Sequence, residues 1–149
     1  MIDIQMETAV SRDVVLTVLT HLNNGKVKDA TACFAERFQF NDRGLGLEFN
    51  DRERLTEFFQ KTRELYPDSS LQTDTILVSD DYVITQWTLR TIVAEPFYNG
   101  LSRTVSISVH GASIVGIENG RIREWSDYYD GLASRRTALA AYFTEWIEL

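Results

Sequence analysis

The spacing of apolar residues along this chain changes at Tyr66-Pro67-Asp68, and this change limits the folds that the chain can form. Before this point most apolar residues recur at helical spacing, whereas after it they alternate with a period of two, which predicts strands. The last predicted helix before the change ends here, because proline cannot continue a helical hydrogen-bond ladder. Helices followed by consecutive strands predict an α+β fold with an antiparallel sheet.

The predicted elements are three helices, one short strand and a meander of four longer strands. The helices and the short strand cover Met6 to Asn23, Val27 to about Ala35, Phe38 to Phe40 (the strand) and Asp51 to about Leu65. The longer strands cover Leu71 to Val78, Tyr82 to Ala94, Ser102 to Ile117 and Arg121 to Tyr129, and an amphipathic stretch, Ser134 to Trp146, follows. Strands of this length predict a strongly curved sheet, and helices on its concave face would form a cone with an internal pocket.

Composition excludes several kinds of partner. The 149 residues carry a formal net charge of −7 and the basic residues are scattered, so neither nucleic acid nor a membrane surface is expected. Two histidines and a single cysteine, Cys33, are too few for a metal site of several imidazoles or a zinc-binding cysteine cluster. The apolar runs are far shorter than the roughly 20 residues that span a bilayer, and the first residues lack a signal-peptide pattern. We therefore expect one cytoplasmic domain, residues 1–149, with no metal and no cofactor.

The segment GRIREWSDYYDG, from Gly120 to Gly131, contains the strongest candidate for chemistry. In a regular strand Asp127 points to the same side as Trp125 and Arg123. A carboxylate held among aromatic side chains has a raised pKa, because burial disfavours its charged form, and such a group can donate a proton near neutral pH. The alternative is an aspartate at a strand end that only hydrogen-bonds a loop.

The order of elements and two segments, FAERFQFND in the first third and GIENGRIREWSDYYD near the end, resemble the nuclear transport factor two-like superfamily. Within it the chain is similar to the SnoaL-like polyketide cyclases and the limonene-epoxide-hydrolase-like enzymes. The resemblance covers nearly the whole chain and implies a cystatin-like α+β barrel with a pocket for a small molecule. It assigns the role of catalytic acid or acid/base to Asp127. Asp42 follows the first strand, roughly where ketosteroid isomerases carry their base and epoxide hydrolases a polar residue that positions water.

The chain also departs from both enzyme groups. The epoxide hydrolases carry an Arg-x-Asp pair on the strand that matches Tyr82 to Ala94, where the alignment places Gln86 and Thr88. Arg90 is one alternation further along the same face, and the SnoaL-like cyclases carry a histidine where this chain has Ser113. We expect Gln86, Thr88 or Arg90 to hydrogen-bond a developing oxyanion, with Ser113 also at the substrate site.

Strand alternation leaves the orientation of the Tyr82 to Ala94 strand open. Trp87 and Leu89 share one face, Gln86, Thr88 and Arg90 share the other, and either face can line the pocket. His110 lies on the face opposite Ser113, so we expect it at the sheet surface or at a subunit interface.

These residues predict a cofactor-independent enzyme that acts on a small, mostly apolar molecule by isomerisation, aldol-type cyclisation or epoxide opening. Asp127 would donate or shuttle a proton, Asp42 would accept one or orient a water, and Phe40 and Trp125 would form an apolar wall. The alternatives are a noncatalytic domain that binds a small hydrophobic ligand and a dimeric interaction module with a filled core. Apolar residues on both faces of the long strands, with the superfamily resemblance, predict a homodimer.

Overall fold

The computed structural model of the protein describes residues 4–96 and 102–132, which form three helices and six strands. The helices are α1 (Ile4–Asn23), α2 (Val27–Thr31) and α3 (Arg52–Leu65). The strands are β1 (Phe34–Asp42), β2 (Leu47–Phe49), β3 (Ser70–Ser79), β4 (Tyr82–Pro96), β5 (Ser102–Glu118) and β6 (Arg121–Tyr129). Within these ranges no helix is both long and apolar enough to cross a membrane. The predicted stretch Ser134 to Trp146 lies outside the described residues.

The six strands form one curved sheet in the order β2-β1-β6-β5-β4-β3. The meander from β3 to β6 is antiparallel, and the α+β class predicted from the sequence is confirmed. One pair outside the meander departs from the antiparallel arrangement, because β1 pairs with β6 in parallel. A parallel pair requires a long connection, and everything from α3 to β5 lies between these two strands in the chain. β2, which was not predicted, has only three residues and pairs with the free edge of β1.

The predicted second helix continues too far, since α2 ends at Thr31 and β1 begins at Phe34. Phe34 is fully buried and packs edge-on against Phe38, with 5.0 Å between the ring centroids. Cys33 is half-buried in the connection between α2 and β1, and its carbonyl accepts a hydrogen bond from the Ile122 amide. Pairing with β6 therefore overrides the helical spacing of this short segment.

The core lies between the helices and one face of the sheet. Its buried members from the helices are Val15, Val18, Leu19, Ala30 and Leu55. Those from the sheet include Phe34, Phe40, Val83, Val115, Ile117, Ile122 and Trp125. We call the sheet face that carries these side chains the inner face, and the opposite face the outer face.

An extra residue in β6 decides which side chains of that strand point inward. The register with β5 shifts between the Gly116–Glu124 and Ile117–Ile122 pairs, which leaves Arg123 as a β-bulge. The Arg123 guanidinium lies over the ring of Tyr82, 5.3 Å from its centroid, whereas Trp125 is in the core. The expectation that Arg123 and Trp125 share a face is therefore wrong, because the bulge reverses the alternation between them.

Candidate functional site

Cross-strand pairing places four polar residues in one row on the inner face. Thr85 on β4 pairs with Ser113 on β5, Ser113 pairs with Asp127 on β6, and Asp127 pairs with Asp42 on β1. The adjoining row is apolar and consists of Val83, Val115, Trp125 and Phe40. The two aspartates singled out from the sequence are thus neighbours on adjacent strands.

The two oxygens of the Asp127 carboxylate have different surroundings. Oδ1 accepts a hydrogen bond from the Ser113 hydroxyl at 2.5 Å and another from the Trp125 indole N–H at 2.6 Å. No donor from the described residues bonds Oδ2. Burial raises the pKa of Asp127 to about 6, the charge of Asp42 acts in the same direction, and the two hydrogen bonds oppose the rise. A half-buried carboxyl with this pKa exchanges its proton close to neutral pH.

Asp42 is buried and holds the loop after β1 together with the end of β6. Its Oδ1 accepts a hydrogen bond from the backbone N–H of Leu45 at 2.9 Å. The hydroxyl of Tyr129 donates to the same carboxylate, 2.8 Å from Oδ1 and 2.9 Å from Oδ2. Burial first, and then the hydrogen bond and charge of Asp42, raise the pKa of Tyr129, so its phenol keeps its proton and remains a donor. Asp42 therefore stabilises the turn after β1 and also has a partner, Tyr129, in the site.

Trp87 and Tyr129 belong to the site, although they were not predicted there. The indole N–H of Trp87 donates to the Ser113 hydroxyl at 2.9 Å, and its ring packs against Tyr129 with 5.9 Å between centroids. The indole crosses the backbone of its cross-strand partner Gly111, where a Cβ would lie 2.3 Å from a ring carbon. A glycine in the middle of a long strand marks such a close approach, and this signal was available in the sequence.

Three residues expected to bind an oxyanion lie on the outer face, away from Asp127. Gln86 and Arg90 are exposed, and Arg90 donates to the side-chain oxygen of Gln72. Thr88 is buried, but its hydroxyl donates to Asp74 at 2.5 Å and lies 3.1 Å from Nδ1 of the exposed His110. The assignment of Gln86, Thr88 and Arg90 to the substrate site is corrected accordingly. The physical reason is that the bulky Trp87 occupies the interior, which turns its neighbours outward.

The other predicted residues, Ser113, Phe40 and Trp125, lie around Asp127 and are all buried. Ser113 has no exposed surface. Its hydroxyl accepts a hydrogen bond from Trp87 and donates one to Asp127, so it stabilises the carboxylate from within the protein. Phe40 and Trp125 are buried members of the core, with Trp125 also bonded to Asp127.

The site is acidic and has no basic counterpart among the described residues. None of the ion pairs formed by this part of the chain involves Asp42 or Asp127. The described ranges also contain no group of three or more side chains suited to hold a metal ion. Surface cavities of about 630 and 470 Å³ lie elsewhere, one between α2 and α3 and the other beside α1 and the β5–β6 turn. The chemistry available from these side chains is proton transfer by carboxyl groups.

A curved six-stranded sheet with helices against its inner face is the architecture of the nuclear transport factor two-like class. The chain belongs to the SnoaL-like polyketide cyclase family, whose model matches residues 12–137. The sequence has no significant match among the curated proteins compared with it.

Solved structures of similar fold agree with this class. The LEH-like epoxide hydrolase of M. tuberculosis is 16% identical, with 96% of this chain and 99% of that chain covered at a TM-score of 0.71. The candidate polyketide cyclase IdmH of Streptomyces antibioticus is 17% identical, with 86% and 97% covered at a TM-score of 0.74. An NTF2-like protein of unknown function from Cytophaga hutchinsonii is 19% identical, with 80% and 89% covered at a TM-score of 0.60. At these identities the likeness is one of fold.

Proposed function

We propose that the protein is a cofactor-independent acid/base enzyme acting on a small, mostly apolar molecule, with Asp127 as the group that transfers the proton. The observation that carries this proposal is the asymmetry of the Asp127 carboxyl. Oδ1 is held by two donors, Oδ2 has no bonded donor among the described residues, and the pKa lies at about 6. Such a group is partly protonated near neutral pH and has one oxygen available for a ligand.

The hydrogen bonds to Oδ1 support a position on Oδ2 for the proposed acid proton. A proton on Oδ1 would point at the Ser113 hydroxyl or the Trp125 N–H, both of which already donate to that oxygen. The acid proton therefore resides on Oδ2. Transfer from Oδ2 to a basic oxygen of the substrate leaves a carboxylate that Ser113 and Trp125 continue to stabilise.

Asp42 and Tyr129 form the second half of the proposed site. The Tyr129 proton is directed at Asp42, so the phenolic oxygen can accept a hydrogen bond from a water or a substrate hydroxyl. In this proposal the phenolic oxygen takes a proton from the substrate or water while the phenolic proton passes to Asp42, so Tyr129 remains neutral. Isomerisation, aldol-type cyclisation and epoxide opening all use this combination of one proton donor and one acceptor, and family membership supports a reaction of this group.

The test is the variant Asp127→Asn, assayed with styrene oxide for epoxide opening and with 2-tetralone for proton exchange at its enolisable carbon. Asparagine keeps an acceptor oxygen for Ser113 and Trp125 but has no titratable proton. We expect turnover of an accepted probe to fall about 10²–10⁴-fold, the usual contribution of general acid–base catalysis, with binding retained. The control is Asp68→Asn, an exposed aspartate distant in sequence from the site, which should leave turnover unchanged. Turnover that survives Asp127→Asn would contradict the proposal.

One observation favours the noncatalytic alternative, a binding domain for a small hydrophobic ligand. The side chains expected to stabilise an oxyanion, Gln86, Thr88 and Arg90, lie on the outer face. A binding domain predicts that both probes bind without turnover and that Asp127→Asn leaves their affinity unchanged.

We also propose that the protein is a homodimer joined through the outer face. Large apolar side chains are exposed there on three adjoining strands, since Leu77 pairs with Ile84 and Ile84 pairs with Ile114. An antiparallel sheet whose outer face remains in water alternates more cleanly between apolar and polar residues. A second copy of the chain would remove this apolar patch from water.

A further inference from the structure

Two tryptophans donate toward the same carboxylate oxygen, one directly and one through a serine. Trp125 bonds Asp127 Oδ1 itself, while the indole N–H of Trp87 donates to the Ser113 hydroxyl, which in turn donates to Oδ1. This second chain runs across β4, β5 and β6 on the inner face. Trp87 and Ser113 are both buried, so little water competes for these bonds.

The Ser113 hydroxyl has one proton and two lone pairs, and its neighbours fix where each points. The Trp87 N–H occupies one lone pair, and the serine proton cannot point there without meeting the indole hydrogen. No other described residue accepts a hydrogen bond from Ser113. The proton is therefore directed at Asp127 Oδ1, and the bond from Trp87 strengthens this donation by polarising the hydroxyl.

We propose that Trp87 is a positioning residue that acts through Ser113, keeping the serine hydroxyl a donor to Asp127 Oδ1 so that the exchangeable proton of Asp127 resides on Oδ2. The inference deepens the proposed function and rests on it only for the role of Asp127 as the acid. Without the indole N–H, the serine proton can turn into the vacated direction, and Ser113 can then accept a hydrogen bond from a protonated Oδ1. That arrangement stabilises the protonated carboxyl, with its proton on Oδ1 and directed at Ser113.

The packing around Trp87 suits a residue with a fixed orientation. Its ring lies across Gly111 on one side and against Tyr129 on another. Thr85, one alternation from Trp87 on the same face, provides an internal control. The Thr85 hydroxyl is buried but has no hydrogen-bond partner among the described residues, so its removal perturbs the interior without breaking the chain.

The experiment follows the titration of Asp127 by NMR of protein labelled with ¹³C at the aspartate side-chain carbons, with the signal assigned by its absence in Asp127→Asn. Ser113→Ala and Trp87→Phe are each expected to raise the titration midpoint by about one pH unit, the equivalent of one hydrogen bond to a charged group. Thr85→Val should leave the midpoint unchanged. In a Ser113→Ala background, Trp87→Phe should add no further change, because its effect passes through the serine.

Either of two results would overturn the inference. One is an Asp127 titration midpoint in Trp87→Phe equal to that of the parent protein. The other is a midpoint that Trp87→Phe raises as much in the Ser113→Ala background as in the parent. If Trp87→Phe does not fold, benzothienylalanine at position 87 replaces the N–H by sulfur with nearly the same shape, and the same midpoints apply. The titration needs no substrate, so it is independent of the proposed function. Loss of turnover in Asp127→Asn with no midpoint change in Trp87→Phe would reject only the role of Trp87. Unchanged turnover in Asp127→Asn together with a raised midpoint in Trp87→Phe would reject only the proposed enzymatic function.

Discussion

At the scale of single residues, the burial of Asp127 links its chemistry to the stability of the fold. Its pKa is raised from 3.8 to about 6, mainly by desolvation, so folding favours its protonated form. A carboxyl with a raised folded-state pKa contributes stability below its unfolded pKa, and this contribution is lost as the pH rises through the folded value. The relevant window is therefore about pH 4 to 6.

This linkage predicts how Asp127→Asn changes stability with pH. Asparagine resembles the protonated acid at every pH, so the variant should gain stability relative to the parent as the pH rises from 4 to 7. The gain is at most about 3 kcal/mol, and less because the side chain is partly exposed to solvent. Thermal melts of both proteins between pH 4 and 7 measure it. A constant difference in Tm would show that Asp127 ionises normally in the folded protein.

The types of Asp127 and Asp42 and their positions relative to predicted strands made them candidates from the sequence, and the structure places them as neighbours on adjacent strands. The sequence was not sufficient to select Trp87 over Thr88, since alternation groups side chains by face without saying which face is buried. The volume of the indole and the glycine opposite it decide that question. The orientation of Arg123 was not predictable for a second reason. The bulge at this residue reverses the alternation of side chains, and the local sequence pattern does not indicate a bulge.

At the scale of elements, the pairing of β4 with β5 depends on Gly111, which leaves room for Trp87. Strand boundaries in the meander were predicted to within about two residues, because turns and period-two patterns are local signals. The end of α2 and the existence of β2 were not predicted. Both depend on pairing around β1, whose partner β6 is remote in the sequence.

The variant Gly111→Ala tests this element directly. The added Cβ would lie 2.3 Å from the indole of Trp87, so the ring must shift. We expect a loss of about 1–3 kcal/mol in the free energy of unfolding, typical of overpacking a core. The control is Gly116→Ala on the same strand, whose Cβ would lie nearest to the guanidinium end of the Arg123 side chain, at 3.1 Å. Equal melting temperatures for the two variants would contradict this account.

At the scale of the whole molecule, the sheet has two unlike faces. The inner face is covered by the helical core, whereas the outer face exposes large apolar side chains: Leu77, Tyr82, Ile84, Ile92, Ile114 and Tyr128. The resemblance identified from two short segments anticipated this architecture, but not the parallel pairing of its first and last described strands. That pairing depends on contacts across most of the chain and has no local pattern.

The proposed homodimer predicts that charge on the outer face separates the subunits. The variant Ile84→Lys places an ammonium in the centre of the patch and should convert a dimer at micromolar concentration into a folded monomer, as measured by light scattering with circular dichroism. The control is Gln60→Lys, an exposed position on α3. A parent protein that is monomeric at the same concentration would rule out the dimer.

The parallel contact between β1 and β6 also joins segments that are far apart in the chain. Tyr129 and Asp42 are 87 residues apart in the chain, and the hydrogen bond between them cannot form until the last described strand has been synthesised and docked. Contacts of such long range carry a large loop-closure cost and form late in folding. A nascent chain can therefore build its helices and hairpins before Asp42 on β1 meets Tyr129 and Asp127 on β6.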